Sequence, residues 1–573
     1  MEKIWLKNYD PGVPHTMNYP EVTLQQLLEE SVKRFADKTA IIFPGRFGDT
    51  YRLSFRELEQ QVNRLANALV SLGVKKGDRV ALLLPNCPQF VISYYAVLKA
   101  GGIVVATNPL YSPREMEAQL NDCGAETIIV LSVFYQLVAG LKEQTNLKNI
   151  VVTNIKEYLP QPSRLLFTLF RERKEGHRVD ISGAANTYSL PDLLGRFDST
   201  PPSVTVAPED VAMFQYTGGT TGVSKAAVAT HFNVVANVCQ MRSWAIPVNA
   251  NQGTEALMGV MPLFHVYGMV TVMHFAVLTG SAMVLLPRWE TEQVLKAISR
   301  YKPAFFPGVP TMYVALNSHP KLGKYDLRSI EACVSGAAPL PLEVQQQFEK
   351  ITGGILAEGY GLSEAPVVVT ANPMIGMRKA GSIGVPYPDV DVKIVDAETG
   401  EKGMPVGEAG ELAIRGPQVM KGYWNRPEET AIALRDGWLY TGDIAIMDED
   451  GFLSIVDRKK EMIIAGGFNI YPREIEEVLY EHPKVKEAVC YGVPDPYRGQ
   501  TVKVCIVLKE GETATTDEIT EFCQPRLARF KIPKLVEFRD DLPKSLIGKV
   551  LRRVLVEEEE ARLKAAQEEQ EAK

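Results

Sequence analysis

Through the first four hundred residues, stretches of helical periodicity alternate with short apolar runs, and that alternation leaves few folds open. Thr23 can cap a helix whose Leu24, Leu27, Leu28, Val32 and Phe35 share one face. Ser54 and Glu57 form a capping box ahead of Leu58, Val62, Leu65 and Leu69, and Gly73 can end that second helix. Residues 79–84 read as a strand, 88–99 as a helix and 102–106 as a further strand. Repeated strand–helix–strand order gives mostly parallel sheets with helices on both faces. The expected class is therefore α/β.

The pattern changes near residue 457. Short strands joined by tight turns are expected at 403–416 and 437–454, a β-rich subdomain. A compact α+β unit follows, with helices at 473–479 and 516–528 and strands at 485–493 and 501–509. We therefore expect a large N-terminal domain over 1–457 and a small, mobile C-terminal domain over 458–573. Residues 557–573 are almost wholly Glu, Lys, Gln and Ala, which predicts a solvated, fraying helix with no assigned role.

Charge and cysteine usage exclude several classes. A net charge of −7 argues against a nucleic-acid partner, which requires a basic face. Seven scattered cysteines without CxxC spacing fit neither a disulfide framework nor a zinc site, and they suit a reducing cytoplasm. The N-terminus shows no secretion signal. Residues 256–287 carry no Asp, Glu, Lys or Arg, a length that could span a bilayer. Pro262, His265, Gly268, His274 and Gly280 divide it into short runs, so a buried strand–helix–strand is expected instead.

The chemistry concentrates at Tyr216-Thr217-Gly218-Gly219-Thr220-Thr221-Gly222-Val223-Ser224-Lys225, directly after an apolar strand at 211–215. Glycines let backbone N–H groups approach a ligand, hydroxyls add donors and the lysine adds charge, a combination suited to a polyphosphate. It is not a Walker loop, because Val223 follows Gly222 where that motif has Lys and Ser/Thr.

Six more motifs follow in order: Pro262-Leu263-Phe264-His265, Ser335-Gly336-Ala337-Ala338-Pro339, Glu358-Gly359-Tyr360-Gly361-Leu362-Ser363-Glu364, Tyr440-Thr441-Gly442-Asp443, Asp457-Arg458-Lys459-Lys460 and Pro543-Lys544-Ser545-Leu546-Ile547-Gly548-Lys549. The ordered set, from about residue 25 to 555, resembles the adenylate-forming superfamily of acyl-CoA synthetases, luciferases and peptide-synthetase adenylation domains. The doubled glycine of the loop, the run 436–444 and the run 456–463 resemble bacterial long-chain fatty acid–CoA ligases. Ser224 replaces the usual proline before the loop lysine, Ala226 the usual glycine after it, and Ser363 a threonine whose hydroxyl it keeps.

The resemblance implies ATP-dependent ligation of a fatty acid to coenzyme A through an acyl-adenylate, with release of AMP and pyrophosphate. A carboxylate must approach a polyanion, so repulsion has to be cancelled by pre-placed donors and cations. Two unit charges about 4 Å apart interact by roughly 4 kcal/mol at an effective dielectric near 20. By resemblance Lys549 supplies that cation at the carboxylate and α-phosphate, with Gly548 giving its loop freedom. Glu364, with Thr217 as a second contact, would hold Mg²⁺. Thr217, Gly218, Gly219, Thr220, Thr221, Gly222 and Lys225 would take the phosphates. Gly336, Ala337 and Ala338 would form the adenine slot beside Glu358, Gly359, Tyr360, Gly361 and Ser363, with Tyr360 stacking on the base. Asp443 would accept the ribose hydroxyls, Arg458 would reach the nucleotide, Lys460 would be the hinge, and Gly466 and Gly467 would line the pantetheine path. His265 would lie near the acyl carboxylate and gate the coenzyme A channel. Plain structural roles compete: a core histidine for His265, a turn aspartate for Asp443, a helix cap for Glu364 and a tight turn for Gly466-Gly467.

Residues 257–286 and 305–310 could line an apolar acyl tunnel, where each buried methylene contributes roughly 0.8 kcal/mol. Medium-chain and coumarate-like aryl acids remain alternatives, as does transfer of the acyl group to a carrier protein. Residues 160–178 interrupt the α/β pattern with a basic, apolar patch that suits either an anionic membrane surface or a surface insertion. A cytoplasmic enzyme touching the inner face of the membrane, and a homodimer, are both compatible with the sequence.

Overall fold

The computed structural model of the protein describes residues 3–45, 48–217, 224–245, 255–465, 468–495, 498–544 and 550–571. The chain forms two compact units, one of Met1–Ile4, Val392–Ile414 and Trp438–Lys573, the other of Trp5–Asp391 and Arg415–Gly437.

The larger unit is α/β, as the sequence implies. Its eight-stranded sheet runs Gly422–Tyr423, Lys225–Thr230, Val211–Thr217, Ile103–Ala106, Arg79–Leu83, Thr127–Leu131, Asn149–Thr153, Thr187–Ser189. The strands from Val211–Thr217 to Thr187–Ser189 are parallel, and Lys225–Thr230 turns back antiparallel to Val211–Thr217. The expected helix starts are present: Thr23 caps Leu24–Phe35 and Ser54 caps Phe55–Ser71, both as capping boxes. Gly73, at φ +93°, closes the second helix, with Val74 N–H reaching back to Leu69 O. Pro88–Lys99 is buried on every side, which explains its lack of an amphipathic pattern.

The uncharged stretch folds as a strand Ala256–Gly259, helical residues 266–279 and a parallel strand Ala282–Leu285. Parallel bridges from Leu257 to Phe305 and from Phe305 to Ala332 join this sheet to a third one, which contains Ala332–Ser335, Ile355–Gly361, Val368–Ala371 and Val385–Pro386. No described helix is long and apolar enough to cross a membrane.

The smaller unit has two sheets. One contains Asp391–Val395, Gly410–Arg415, Trp438–Met447 and Leu453–Arg458, the β-rich segment expected from its turns. The other is built on the long hairpin Val485–Asp495 and Gly499–Leu508, flanked by Ile463–Ala465 and Leu535–Phe538. Its two faces bury different sets, Ile475, Leu479, Ile519 and Cys523 on one, Tyr491, Cys505, Leu542 and Leu555 on the other. The sequence reading needs two corrections here. The helix expected over 516–528 stops at Cys523: Gln524 still has helical dihedrals, φ −53° and ψ −48°, but Pro525 has no N–H to continue the hydrogen-bond ladder. The tail is not wholly solvated. It begins as a helix at Arg552, and Leu555 and Glu559 are buried, Glu559 at 2.7 Å from the equally buried Lys503.

Candidate functional site

In the larger unit, the strand pair that carries the glycine-threonine loop sets the position of its ends. Thr217 lies opposite Lys225 in the antiparallel register, Thr217 Oγ1 donates to Lys225 O at 3.4 Å, and Ser224 Oγ donates to Thr217 O at 2.6 Å. Ser224 thus stiffens the end of the loop by a side-chain hydrogen bond. Gly218, Gly219, Thr220, Thr221 and Gly222 lie outside the described residues.

Tyr423 joins the loop to the expected cation ligand. Its strand pairs with Lys225–Thr230, so its ring lies beside the loop lysine, with Lys225 Nζ 5.6 Å from the ring centroid. Its phenol donates to Glu364 Oε1 at 2.8 Å, and Met420 N–H donates to Glu364 O at 2.8 Å. Lys225 and Glu364 therefore flank one tyrosine, and Thr217 lies opposite Lys225 in the strand pair. Asp122 anchors the same region, accepting from Tyr216 Oη at 2.6 Å and from Arg426 at 2.8 Å. Burial, reinforced by Asp122, pushes the Tyr216 phenol well up, so it stays a donor.

The expected adenine slot sits where the pairing of two parallel strands ends, Ser335 opposite Glu358. Gly336 N–H donates to Gly308 O at 3.2 Å, and Tyr267 Oη donates to Val334 O at 2.7 Å, which fixes the loop from below. A Cβ on Gly336 would meet Tyr267 at 3.5 Å and Gly359 O at 3.7 Å, ordinary contacts, so packing does not demand glycine there. Ala337 adopts φ +68°, a conformation that costs an L-residue about 1–2 kcal/mol. Ser335 Oγ is fully buried without a hydrogen-bond partner among the described residues. Unforced small residues, a strained alanine and an orphaned hydroxyl all suit a bound planar group. Ala338 is exposed at the end of this turn. Gly361 is a different case, since a Cβ there would collide with Val367 O. Glu358 is buried, Tyr360 and Ser363 are half-buried, and Gly359 is held closely by Val334 and Thr370.

His265 stands next to the slot, two residues before Tyr267. Its Nδ1 accepts Tyr267 N–H at 3.1 Å, which places the proton of the neutral ring on Nε2. Desolvation pushes the imidazole down to about 4. It is thus an uncharged donor at pH 7.

The smaller unit contains the remaining candidates. Asp443 and Arg458 face each other across adjacent strands, and Arg458 Nε lies 2.6 Å from Asp443 Oδ1. Asp443 is 2% exposed, although Thr441 and Gly442 before it are half-buried. Glu411 ties the same turn together, accepting from Gly442 N–H at 3.2 Å and pairing with Lys459 at 2.7 Å. Lys460 is exposed at a short turn where Glu461 N–H and Met462 N–H reach back to Arg458 O. Gly466, Gly467 and Lys549 lie outside the described residues.

Sequence reasoning missed four contributors. Tyr423 sits in Lys421-Gly422-Tyr423-Trp424-Asn425-Arg426-Pro427-Glu428, dense enough in aromatic and turn residues to have drawn notice. Asn237, 0% exposed, accepts from Val367 and Val368 N–H and steadies the segment after Glu364. Tyr267 carries the slot. Arg552 is nearly buried among Asp457, Glu461 and Glu476, a cluster beside the expected hinge with no short-range signature.

Among the described residues no group of three or more His, Cys, Asp or Glu could hold a metal. The donor set fits Mg²⁺ only as a partial shell. Glu364 offers a hard carboxylate and Thr217 a hydroxyl, and phosphate oxygens would complete the coordination.

A model of the AMP-binding enzyme family matches residues 28–424, and one of the AMP-binding enzyme C-terminal domain matches residues 474–549. A long-chain-fatty-acid–CoA ligase of Bacillus subtilis (strain 168) is 49% identical over 560 residues, 97% of this chain and 98% of its own. A long-chain-fatty-acid–CoA ligase of Escherichia coli O6:H1 is 38% identical, covering 97% of this chain and 98% of its own. A solved anthranilate CoA ligase in complex with anthranoyl-AMP matches with a TM-score of 0.82 at 28% identity, over 95% of this chain and 98% of its own.

Proposed function

The chain belongs to the AMP-binding enzyme family, and from that premise we propose that it ligates a long-chain fatty acid to coenzyme A. The observation that carries this reading is the 49% identity to a long-chain-fatty-acid–CoA ligase across 97% of the chain. The reaction has two steps. The carboxylate oxygen attacks the α-phosphorus of ATP and pyrophosphate leaves. The coenzyme A sulfur then attacks the acyl carbon, and AMP departs with the bonding pair.

The convergence of Lys225 and Glu364 on Tyr423, with Thr217 opposite Lys225, supports a phosphate and cation site there. Mg²⁺, when bound, would screen the phosphate oxygens during attack. The space at Gly336 and the backbone of Ala337 support the adenine slot, with Ala338, Glu358, Gly359, Tyr360, Gly361 and Ser363 around it. Neutral His265 can donate from Nε2 to a carboxylate without adding charge. Asp443, oriented by Arg458, serves the ribose hydroxyls. The exposed turn at Lys460 supports a pivot, and we retain the 457/458 boundary as a functional division. Lys549 remains the cation for the first step. We place the reaction in the cytoplasm.

Palmitate-dependent exchange of pyrophosphate into ATP tests the first step, and its absence would remove the ligase reading. Thioester yields from octanoate, palmitate and coumarate then rank chain length against an aryl acid. The aryl reading is retained because of the similarity to the anthranilate ligase. Lys549→Ala is expected to lose adenylation far more than thioester formation from supplied acyl-AMP. Equal loss of both steps contradicts its role.

A further inference from the structure

Lys225, at the end of the glycine-threonine loop, already has an anionic partner. Its Nζ lies 3.6 Å from Glu429 Oε1, with the two side chains 23% and 34% exposed. Glu429 stands in the first turn of the helix Pro427–Ala433. That helix is pinned to the strand beside the loop. Tyr423 N–H donates to Thr430 Oγ1 at 2.9 Å, and Thr430 Oγ1 donates to Arg426 O at 2.7 Å. Arg426 in turn pairs with Asp122 at 2.8 Å. Because Tyr423 belongs to the strand paired with Lys225–Thr230, the backbone carrying Glu429 is fixed relative to the one carrying Lys225.

A pair this loose, with both partners partly exposed, contributes little to stability. The helix does not require it either, since Glu428 beside it also places a carboxylate in the first turn. Its location is what matters. A polyphosphate arriving at Lys225 meets a carboxylate already on the same ammonium, and the two anions repel each other.

We propose that Glu429 is a positioning residue that competes with phosphate for Lys225: it holds the ammonium in the empty site, yields it to ATP and reclaims it as pyrophosphate leaves. The looseness of the pair is what lets a chain of several negative charges displace it. Once the bond between the α-phosphorus and the bridging oxygen has broken, cations and donors are all that retain pyrophosphate. A carboxylate waiting for one of those cations speeds the departure. Tyr423 is less suited to this, because a ring face 5.6 Å from Nζ attracts an ammonium less strongly than a full negative charge does. Glu364 is engaged by the Tyr423 phenol at 2.8 Å. This role presupposes the ligase reading, in which Lys225 binds the phosphates.

Glu429→Gln keeps the shape of the side chain and removes its charge. Steady-state thioester formation from palmitate, with ATP varied and pyrophosphate added as product inhibitor, reads the consequence. The KM for ATP and the inhibition constant of pyrophosphate should both fall about three- to fivefold, the range expected when a partly exposed pair is released. The kcat should not rise with them, because tighter pyrophosphate leaves no faster. Glu429→Asp restores the charge and should return both constants toward the parent. Glu428→Gln removes the same charge from the exposed neighbouring position and should change neither. Melting temperatures of all three variants are expected to match the parent. Parental constants in Glu429→Gln overturn the proposal, and if the parent still performs palmitate-dependent pyrophosphate exchange the ligase reading stands without it. A raised KM for ATP also overturns it, since Glu429 would then assist phosphate binding. Equal shifts in Glu428→Gln overturn it by reducing the effect to net charge. A parent without exchange removes the ligase reading and this role with it.

Discussion

Tyr423 donates its phenolic hydrogen to Glu364 Oε1 at 2.8 Å while Lys225 Nζ sits 5.6 Å from the centre of the same ring. One side chain therefore orients a carboxylate and flanks an ammonium on the two sides of the proposed phosphate site. Tyr423→Phe would keep the ring and remove the hydrogen bond. A hydrogen bond to a charged group contributes about 1.5–3 kcal/mol, so adenylation at limiting Mg²⁺ should fall roughly ten- to hundredfold. The deficit should shrink as Mg²⁺ is raised, because a mispositioned ligand weakens cation binding before it affects the chemical step. Pyrophosphate exchange across a Mg²⁺ titration measures this. A loss independent of Mg²⁺ would show that Tyr423 acts on the fold alone.

The Asp443–Arg458 pair predicts a separation of stability from nucleotide binding. Asp443 is 2% exposed, so Arg458→Ala removes an adjacent cation from a buried carboxylate. Such a break costs about 3–5 kcal/mol when both partners are buried. The Arg458 side chain is 37% exposed and water can partly replace it, so about 1–2 kcal/mol is expected. Asp443→Asn keeps shape and lowers that cost, yet it should raise the KM for ATP if the carboxylate accepts the ribose hydroxyls. Denaturant unfolding and ATP kinetics on both variants decide the matter. An unchanged KM in Asp443→Asn would reduce the residue to a turn aspartate.

The slot loop predicts opposite outcomes at adjacent positions. Ala337 is strained at φ +68°, and Ala337→Gly should stabilise the chain by about 1 kcal/mol even after the entropy that glycine adds to the unfolded state. Gly336 has room for one methyl group, so Gly336→Ala should fold with little loss while crowding a base in the slot. Weakened ATP binding with an unchanged melting temperature is the expected result for Gly336→Ala. A variant that binds ATP normally would place the adenine elsewhere.

What the sequence made legible follows the range of the forces involved. Caps act over three residues, so Thr23, and Ser54 with Glu57, were readable as helix starts. The uncharged run resolved into strand–helix–strand because proline and glycine punctuate it locally. Tyr423 and Glu364 are fifty-nine positions apart and meet only because the strand Gly422–Tyr423 returns to pair with Lys225–Thr230. No local pattern encodes that return. Glu559 misled for a related reason. Within an Ala, Glu and Lys tract it looks solvated, and only the fold supplies Lys503 at 2.7 Å. The Ser335 hydroxyl and the backbone of Ala337 are likewise visible only in three dimensions.

The buried histidines set the acid limit of the larger unit. His231 and His274 are each 1% exposed, and desolvation lowers them from an ordinary value near 6.5 to about 4 and about 3. His231 Nδ1 accepts Leu24 N–H at 3.3 Å, a bond that protonation of this nitrogen would abolish. His274 Nδ1 lies 2.8 Å from Tyr95 Oη, and its Nε2 finds no partner among the described residues, so an imidazolium there would be unsolvated. Because the folded values lie below the unfolded ones, the unfolded chain binds more protons throughout the intervening window. Stability should thus fall as pH drops from about 6.5 toward 4, each histidine contributing a slope near 1.4 kcal/mol per pH unit well inside that window. Carboxylates titrate there as well, so the histidine share must be isolated by substitution. His274→Gln should begin less stable at pH 7 yet lose stability less steeply between pH 5.5 and 4.5. Urea unfolding of parent and variant across that interval gives the two slopes, and parallel lines would mean that His274 does not titrate on unfolding.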